Sequence, residues 1–118
     1  MRPIYICYEG CSTCRKARKW LAEKGVAFDE RPIREQRPSV DELRAWQRLS
    51  GLPLKRFFNT SGLQYRALKL KDRLPEMDEA EMLALLAADG MLVKRPLLVA
   101  EDAVLVGFKE EEWAARLL

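Results

Sequence analysis

Cys11-Ser12-Thr13-Cys14 is the constellation whose residue types and spacing point to chemistry. Two thiols three positions apart at a helix start can form and break a disulfide with each other. An apolar run, Ile4-Tyr5-Ile6-Cys7, precedes the motif, Gly10 breaks it, and a helical period follows. The first turn of a helix has unpaired backbone N–H groups and the positive end of the macrodipole. A thiolate placed there is stabilised, so its pKa falls below the free-thiol value of about 8.5. Cys11, at or just before the N-cap, is the expected nucleophile. Cys14, one turn further on, is expected to be more covered and to act as the resolving thiol. Arg15 and Lys16 add positive charge, and Arg15 is a candidate substrate contact. A zinc half-site is the rival reading of the motif. Zinc takes four ligands, or three plus water, and the chain has no histidine and no second ligand pair. The blandest reading is two ordinary buried cysteines. Cys7 itself reads as a small core residue.

The elements that must position these thiols follow from the pattern of apolar residues. Residues 2–8 read as a short buried strand. From Ser12 to Lys24, Cys14, Ala17, Trp20 and Leu21 share one helical face, and Gly25 is a stop signal. Val26 to Ile33 reads as a second strand, with Pro32 marking an edge or an end. Ser39 and Glu42 form a capping box for a helix that buries Leu43, Trp46 and Leu49. Short helical turns punctuated by Pro53 and Gly62 come next. Asp78 and Glu81 start another helix, with Met82, Leu85 and Leu86 as its expected buried stripe. Leu97 to Ala100 and Val104 to Val106 make an antiparallel hairpin. Lys109 to Leu118 closes the chain as a helix, with Trp113 and Leu117 inward. The order β-α-β, helical block, β-β-α is that of an α/β, thioredoxin-like mixed sheet with a helical insertion. A single domain is expected, with the core in residues 1–36 and 91–118 and the insertion in 37–90.

Arg95-Pro96 immediately precedes the hairpin. In a thioredoxin-like domain a cis-proline at this place lies against the reactive cysteines. An X–Pro bond adopts the cis form at modest cost. Arg95 would then present its guanidinium near Cys11, to hold an oxyanion or stabilise the thiolate, and Pro96 would shape the substrate face. Asn59 to Arg66 carries polar groups that either form a loop over the cleft or cap short helices; Asn59 is a candidate substrate contact.

Composition narrows the rest. The chain has 118 residues, 48% hydrophobic and 33% charged, which suits one folded domain rather than disorder. Its longest uncharged stretch, Phe57 to Tyr65, is nine residues, far short of the roughly 20 a membrane helix needs. The N-terminal apolar run is too short for a signal peptide. Net charge is +3, from 21 basic and 18 acidic residues, too weak a bias to imply direct nucleic-acid binding. The lack of histidine removes Ser-His-Asp and Cys-His catalysis. Three clustered cysteines are a poor disulfide framework. A cytoplasmic, monomeric protein is expected.

The segments IYICYEGCSTCRKARKWL, FFNTSGLQYRALKLKD and VKRPLLV together resemble the arsenate reductase-like family. That group includes glutaredoxin-dependent arsenate reductases and the Spx/MgsR regulators. In the reductases, the resemblance implies, the cysteine at the Cys11 position attacks arsenate and three arginines hold the oxyanion. Arg95 matches one of those arginines, while Asn59 and Gly107 stand at the other two positions. Cys14 adds a second cysteine that those reductases typically lack. In the Spx-like members the CxxC is a redox switch, with Arg95 at its neighbouring arginine, and the partner is the C-terminal domain of the RNA polymerase α subunit. Two functions follow as expectations. One is a reductase of a small-molecule or protein disulfide through a redox-active Cys11–Cys14 disulfide. It would need no bound cofactor, and glutathione or a thioredoxin/glutaredoxin system would be its electron donor. The other is a redox-sensing regulator.

Overall fold

The computed structural model describes residues 2–118. Four strands form one mixed sheet in the order β2-β1-β3-β4: β1 (Ile4–Cys7), β2 (Asp29–Pro32), β3 (Leu97–Val99) and β4 (Val104–Val106). β1 and β2 run parallel, with α1 (Ser12–Glu23) as the crossover. β3 is antiparallel to β1 and to β4. The middle of the chain supplies α2 (Val40–Ser50), α3 (Leu63–Ala67), α4 (Leu70–Arg73) and α5 (Glu79–Ala88), with 3-10 turns at Leu54–Phe57, Leu74–Glu76 and Gly90–Leu92. α6 (Glu110–Leu117) ends the chain. This is the thioredoxin-like arrangement that the order of elements predicts.

The two-residue period of a strand divides the core. Tyr5 and Cys7 of β1 and Leu98 of β3 turn to one face, where they meet Ala17, Trp20 and Leu21 of α1 and Trp113 of α6. Ile6, Leu97 and Val99 turn to the other, against Leu43 and Trp46 of α2 and Leu83 and Leu86 of α5. β1 is therefore covered on both sides, as its unbroken apolar run requires.

Local signals account for the element ends. The Ser39 hydroxyl accepts from the Glu42 amide at 3.1 Å, and Glu42 accepts from the Ser39 amide at 3.0 Å, completing the capping box. Asp78 accepts from the Glu81 amide at 2.8 Å and starts α5.

Three expectations are corrected. β2 begins at Asp29, not Val26, because the Val26 amide turns back to the Leu21 carbonyl at 3.0 Å and keeps residues 24–28 out of the sheet. Leu49 is 44% exposed; it follows Trp46 on the helix but lies past the edge of the core. The buried stripe of α5 is Leu83 and Leu86, with Met82 and Leu85 on its flanks.

Candidate functional site

Cys11 is the N-cap residue of α1, with extended backbone (φ −95°, ψ 121°). Both it and Cys14 are free thiols. Cys11 is partly exposed and Cys14 is buried. The Cys14 sulfur accepts from the Tyr8 amide at 3.4 Å, and the Tyr5 hydroxyl donates to the Cys14 carbonyl. These bonds pin the start of α1 onto the end of β1. Partial burial raises the Cys11 pKa, but donors outweigh it: the backbone N–H and the thiol of Cys14, the backbone N–H of Thr13, and the nearby Arg95 charge. The net shift is downward. Cys14 moves the opposite way, up to about 12, first through burial and then through the neighbouring Cys11 sulfur. Two like groups are thus held in opposite states, one ready to ionise and one kept protonated.

The Arg95-Pro96 bond is cis. The Arg95 guanidinium lies 5.0 Å over the Tyr8 ring and donates to the Met91 carbonyl at 3.4 Å. Facing it is the loop after the first 3-10 turn. Phe58 and Val93 form an isolated antiparallel bridge. Around it the Lys94 amide donates to the Phe57 carbonyl, and the Asn59 amide to the Leu92 carbonyl, each at 2.7 Å. The insertion is thereby stitched to the segment leading into β3, and Asn59 comes to rest across the cleft from Cys11. Gly62 packs closely against it: a Cβ there would stand 2.8 Å from the Asn59 side-chain Nδ2 and 3.3 Å from its backbone carbonyl oxygen, so Asn59 would have to shift.

Cys11, Asn59 and Arg95 line one open cleft of about 650 Å³, with Ser61, Gln64 and Lys94. Among the described residues no carboxylate lines it. Cys14 does not line the cleft; it is buried in the core with Tyr5, Cys7 and Ala17. Pro96 is buried, and its carbonyl accepts from the Gly107 amide at 2.9 Å; it supports the wall rather than lining it. Arg15 lies outside this group. It donates to the Glu9 carbonyl at 3.1 Å and lines a separate shallow depression with Arg18 and Glu30. Cys7 is buried in the core, with an Arg18 nitrogen 4.0 Å from its sulfur. Among the described residues no three Cys, Asp or Glu side chains stand close enough to hold a metal ion. Lys94 and Met91 are site residues that sequence reading missed. Lys94 had a signal in its place directly before Arg95-Pro96; Met91, four positions before Arg95, had none.

The family model "ArsC family" matches residues 7–116. The uncharacterised protein YusI of Bacillus subtilis is 56% identical over 113 residues, covering 96% of each chain. The global transcriptional regulator Spx of Enterococcus faecalis is 32% identical over 86% of this chain and 76% of its own. A crystal structure of an ArsC family related protein from Bacteroides fragilis superposes with a TM-score of 0.95 at 55% identity, covering 98% of this chain and 97% of that one. One described as a possible arsenate reductase, from Streptococcus mutans, gives 0.86 at 43% identity, covering 95% and 97%. The family match thus spans the cysteine pair, the facing loop and strands β2 to β4, and the chain belongs to the ArsC family.

Proposed function

We propose that the protein is a thiol-disulfide oxidoreductase in which Cys11 is the nucleophile and Cys14 the resolving thiol. The observation that carries this reading is the Cys11 sulfur, set at the opening of α1 under the amides of Thr13 and Cys14 and beside Arg95. The Cys11 thiolate attacks one sulfur of a disulfide R–S–S–R′, forms Cys11–S–S–R, and releases R′–S⁻. Bonding removes the negative charge from Cys11. One of the influences that held the Cys14 proton in place then disappears. Cys14 gives up its proton and attacks the Cys11 sulfur, and R–S⁻ leaves. Two electrons pass to the substrate, and a Cys11–Cys14 disulfide remains. Glutathione or a thioredoxin/glutaredoxin system restores the dithiol, so no bound cofactor is needed. Asn59 orients the substrate and Arg95 steadies the thiolate. A cytoplasmic location keeps the pair reduced between turnovers.

Cys11→Ser should abolish reduction of a glutathione-mixed disulfide. Cys14→Ser should trap Cys11 as an adduct visible by mass spectrometry. Turnover that survives in Cys11→Ser rejects the proposal.

The similarity to Spx of E. faecalis and to the regulatory protein MgsR of B. subtilis, 28% identical over 92% of this chain, favours a second reading. In it the same disulfide alters a surface that binds the RNA polymerase α subunit. Capture of that subunit by the oxidised protein alone, without disulfide turnover, would establish the regulator instead.

A further inference from the structure

The cleft continues past Arg95 into a smaller annex of about 270 Å³. Lys94 and Arg95 line both spaces. Lys55, Arg56 and Lys109 line the annex and not the cleft. The five cations come from three separate parts of the chain: Lys55 and Arg56 from the 3-10 turn at Leu54–Phe57, Lys94 and Arg95 from the approach to β3, and Lys109 from the N-cap of α6. Among the described residues no carboxylate lines either space. Lys55, Arg56, Lys94 and Arg95 have no ion-pair partner among the described residues, and Lys109 has only an exposed Glu112 at 4.0 Å. Five like charges ring one concavity, Lys94 and Arg95 half-buried and Lys55, Arg56 and Lys109 exposed at its rim. An anion seated among them gains from all five, most from the half-buried Lys94 and Arg95 and less from the three exposed side chains, whose pull salt screens.

Gly107 leaves the annex open. Its φ of +76° suits glycine, and a Cβ there would meet the Lys94 side chain at 3.4 Å. Its own amide and carbonyl are taken by Pro96 and by the Trp113 indole. The charge of the annex therefore comes from side chains and not from the Gly107 backbone.

From this contiguity we propose that the annex is a specificity subsite, one that takes the anionic tail of a small thiol whose sulfur reacts at Cys11. The thiol carries two or more carboxylates or phosphates at one end and its sulfur at the other. The cleft and the annex together have the size of a small-molecule site. The inference rests on the oxidoreductase reading and adds the class of substrate to it. The chemistry stays the two-electron reduction of R–S–S–R′ to two thiols by the Cys11–Cys14 dithiol, with an external thiol restoring that dithiol.

Three symmetrical disulfides test it: that of 2-mercaptoethanol (neutral), that of mercaptosuccinate (carboxylates) and that of coenzyme A (phosphates). Wild-type kcat/KM should be at least tenfold higher for one or both anionic disulfides than for the neutral one, and the preference should shrink as salt is added. The better of the two anionic arms identifies the anion. In the triple variant Lys55→Gln, Arg56→Gln, Lys109→Gln the anionic-to-neutral ratio should fall at least tenfold. A control with Lys19, Lys24 and Arg44 changed to Gln loses the same charge far from the annex and should keep the ratio. A wild-type ratio near one, or one unchanged in the triple variant, overturns the subsite and leaves the oxidoreductase reading standing. No turnover of any of the three disulfides overturns both.

Discussion

At the scale of single residues, the site depends on two sulfurs of the same chemical type being driven apart in acidity. The Cys11 sulfur receives backbone donors and feels Arg95, while Cys14 is buried. The sign of the resulting pH dependence is fixed. A thiol whose folded pKa is depressed contributes stability above its ordinary pKa, and loses that contribution as pH falls through the folded value. Reduced wild-type protein should therefore gain stability relative to Cys11→Ser as pH rises through that window. Thermal melts across pH 5 to 9 on the pH scale around the thiol range would show the gap opening, and a gap that is flat or narrows would contradict the assignment. Arg95→Gln removes one of the stabilising charges. An interaction of about 0.2–1 kcal/mol, suited to a partly exposed pair, slows iodoacetamide alkylation of Cys11 at neutral pH by up to about fivefold. Alkylation rates measured beside wild type check this. The cysteine spacing and its place between a strand and a helix were legible in the sequence, because both signals are local. The far-side position of Arg15 was not. It depends on the direction in which the first turn of α1 projects its side chains.

At the scale of elements, the insertion must be held at a fixed angle to the sheet for Asn59 to face Cys11. Arg31 of β2 does part of this work. It grips the Glu42 carboxylate of α2 with both terminal nitrogens, at 2.6 and 2.8 Å, and donates to the Gln36 and Arg37 carbonyls. Its guanidinium also lies 5.5 Å over the Trp46 ring. The hydrogen bond from Arg31 is the main reason that the Glu42 carboxyl falls from 4.5 to about 2. The stability this gives is present above the ordinary carboxylate range and is lost as pH falls toward about 2. The Glu42 side chain is 38% exposed, which reduces the value of the pair to about 1 kcal/mol. Glu42→Gln should cost that much in urea unfolding at pH 7 and little near pH 2 on the acid limb of the profile; an equal cost at both would refute the ion-pair account. The capping box at Ser39 and Glu42 was legible because it needs only a four-residue pattern. The break between α3 and α4 was not, since Lys69 takes a left-handed φ of 54° there with no glycine to announce it. The Phe58–Val93 bridge was equally hidden, because pairing across 35 positions leaves no local trace.

At the scale of the whole molecule, the closing helix and the site share a wall. Trp113 is fully buried and sits edge-on to Tyr5, Trp20 and Phe108, so it joins β1, α1 and α6 into one aromatic layer. Its indole nitrogen donates to the Gly107 carbonyl at 3.0 Å. Gly107 in turn donates to the carbonyl of Pro96, next to Arg95. The inward turn of Trp113 could be read from helical spacing. Its link to the loop beyond β4 could not, because that link exists only once α6 has docked. Two substitutions separate packing from this polar link. Trp113→Ala empties a large core volume and should cost about 3–5 kcal/mol, a heavy loss against a total stability of about 5–15 kcal/mol. Trp113→Phe keeps most of the apolar bulk and leaves the Gly107 carbonyl without its buried donor, at a cost of about 1–3 kcal/mol. Because Gly107 is tied to Pro96, Trp113→Phe should also lower the rate of Cys11 alkylation in protein that remains folded, while a change of equal stability cost on the opposite face, Leu86→Val, should leave that rate alone. Urea unfolding and alkylation kinetics on the same samples make the comparison. If both variants slow Cys11 equally, the effect is one of general loosening, and the path from α6 through Gly107 to the site is not the cause.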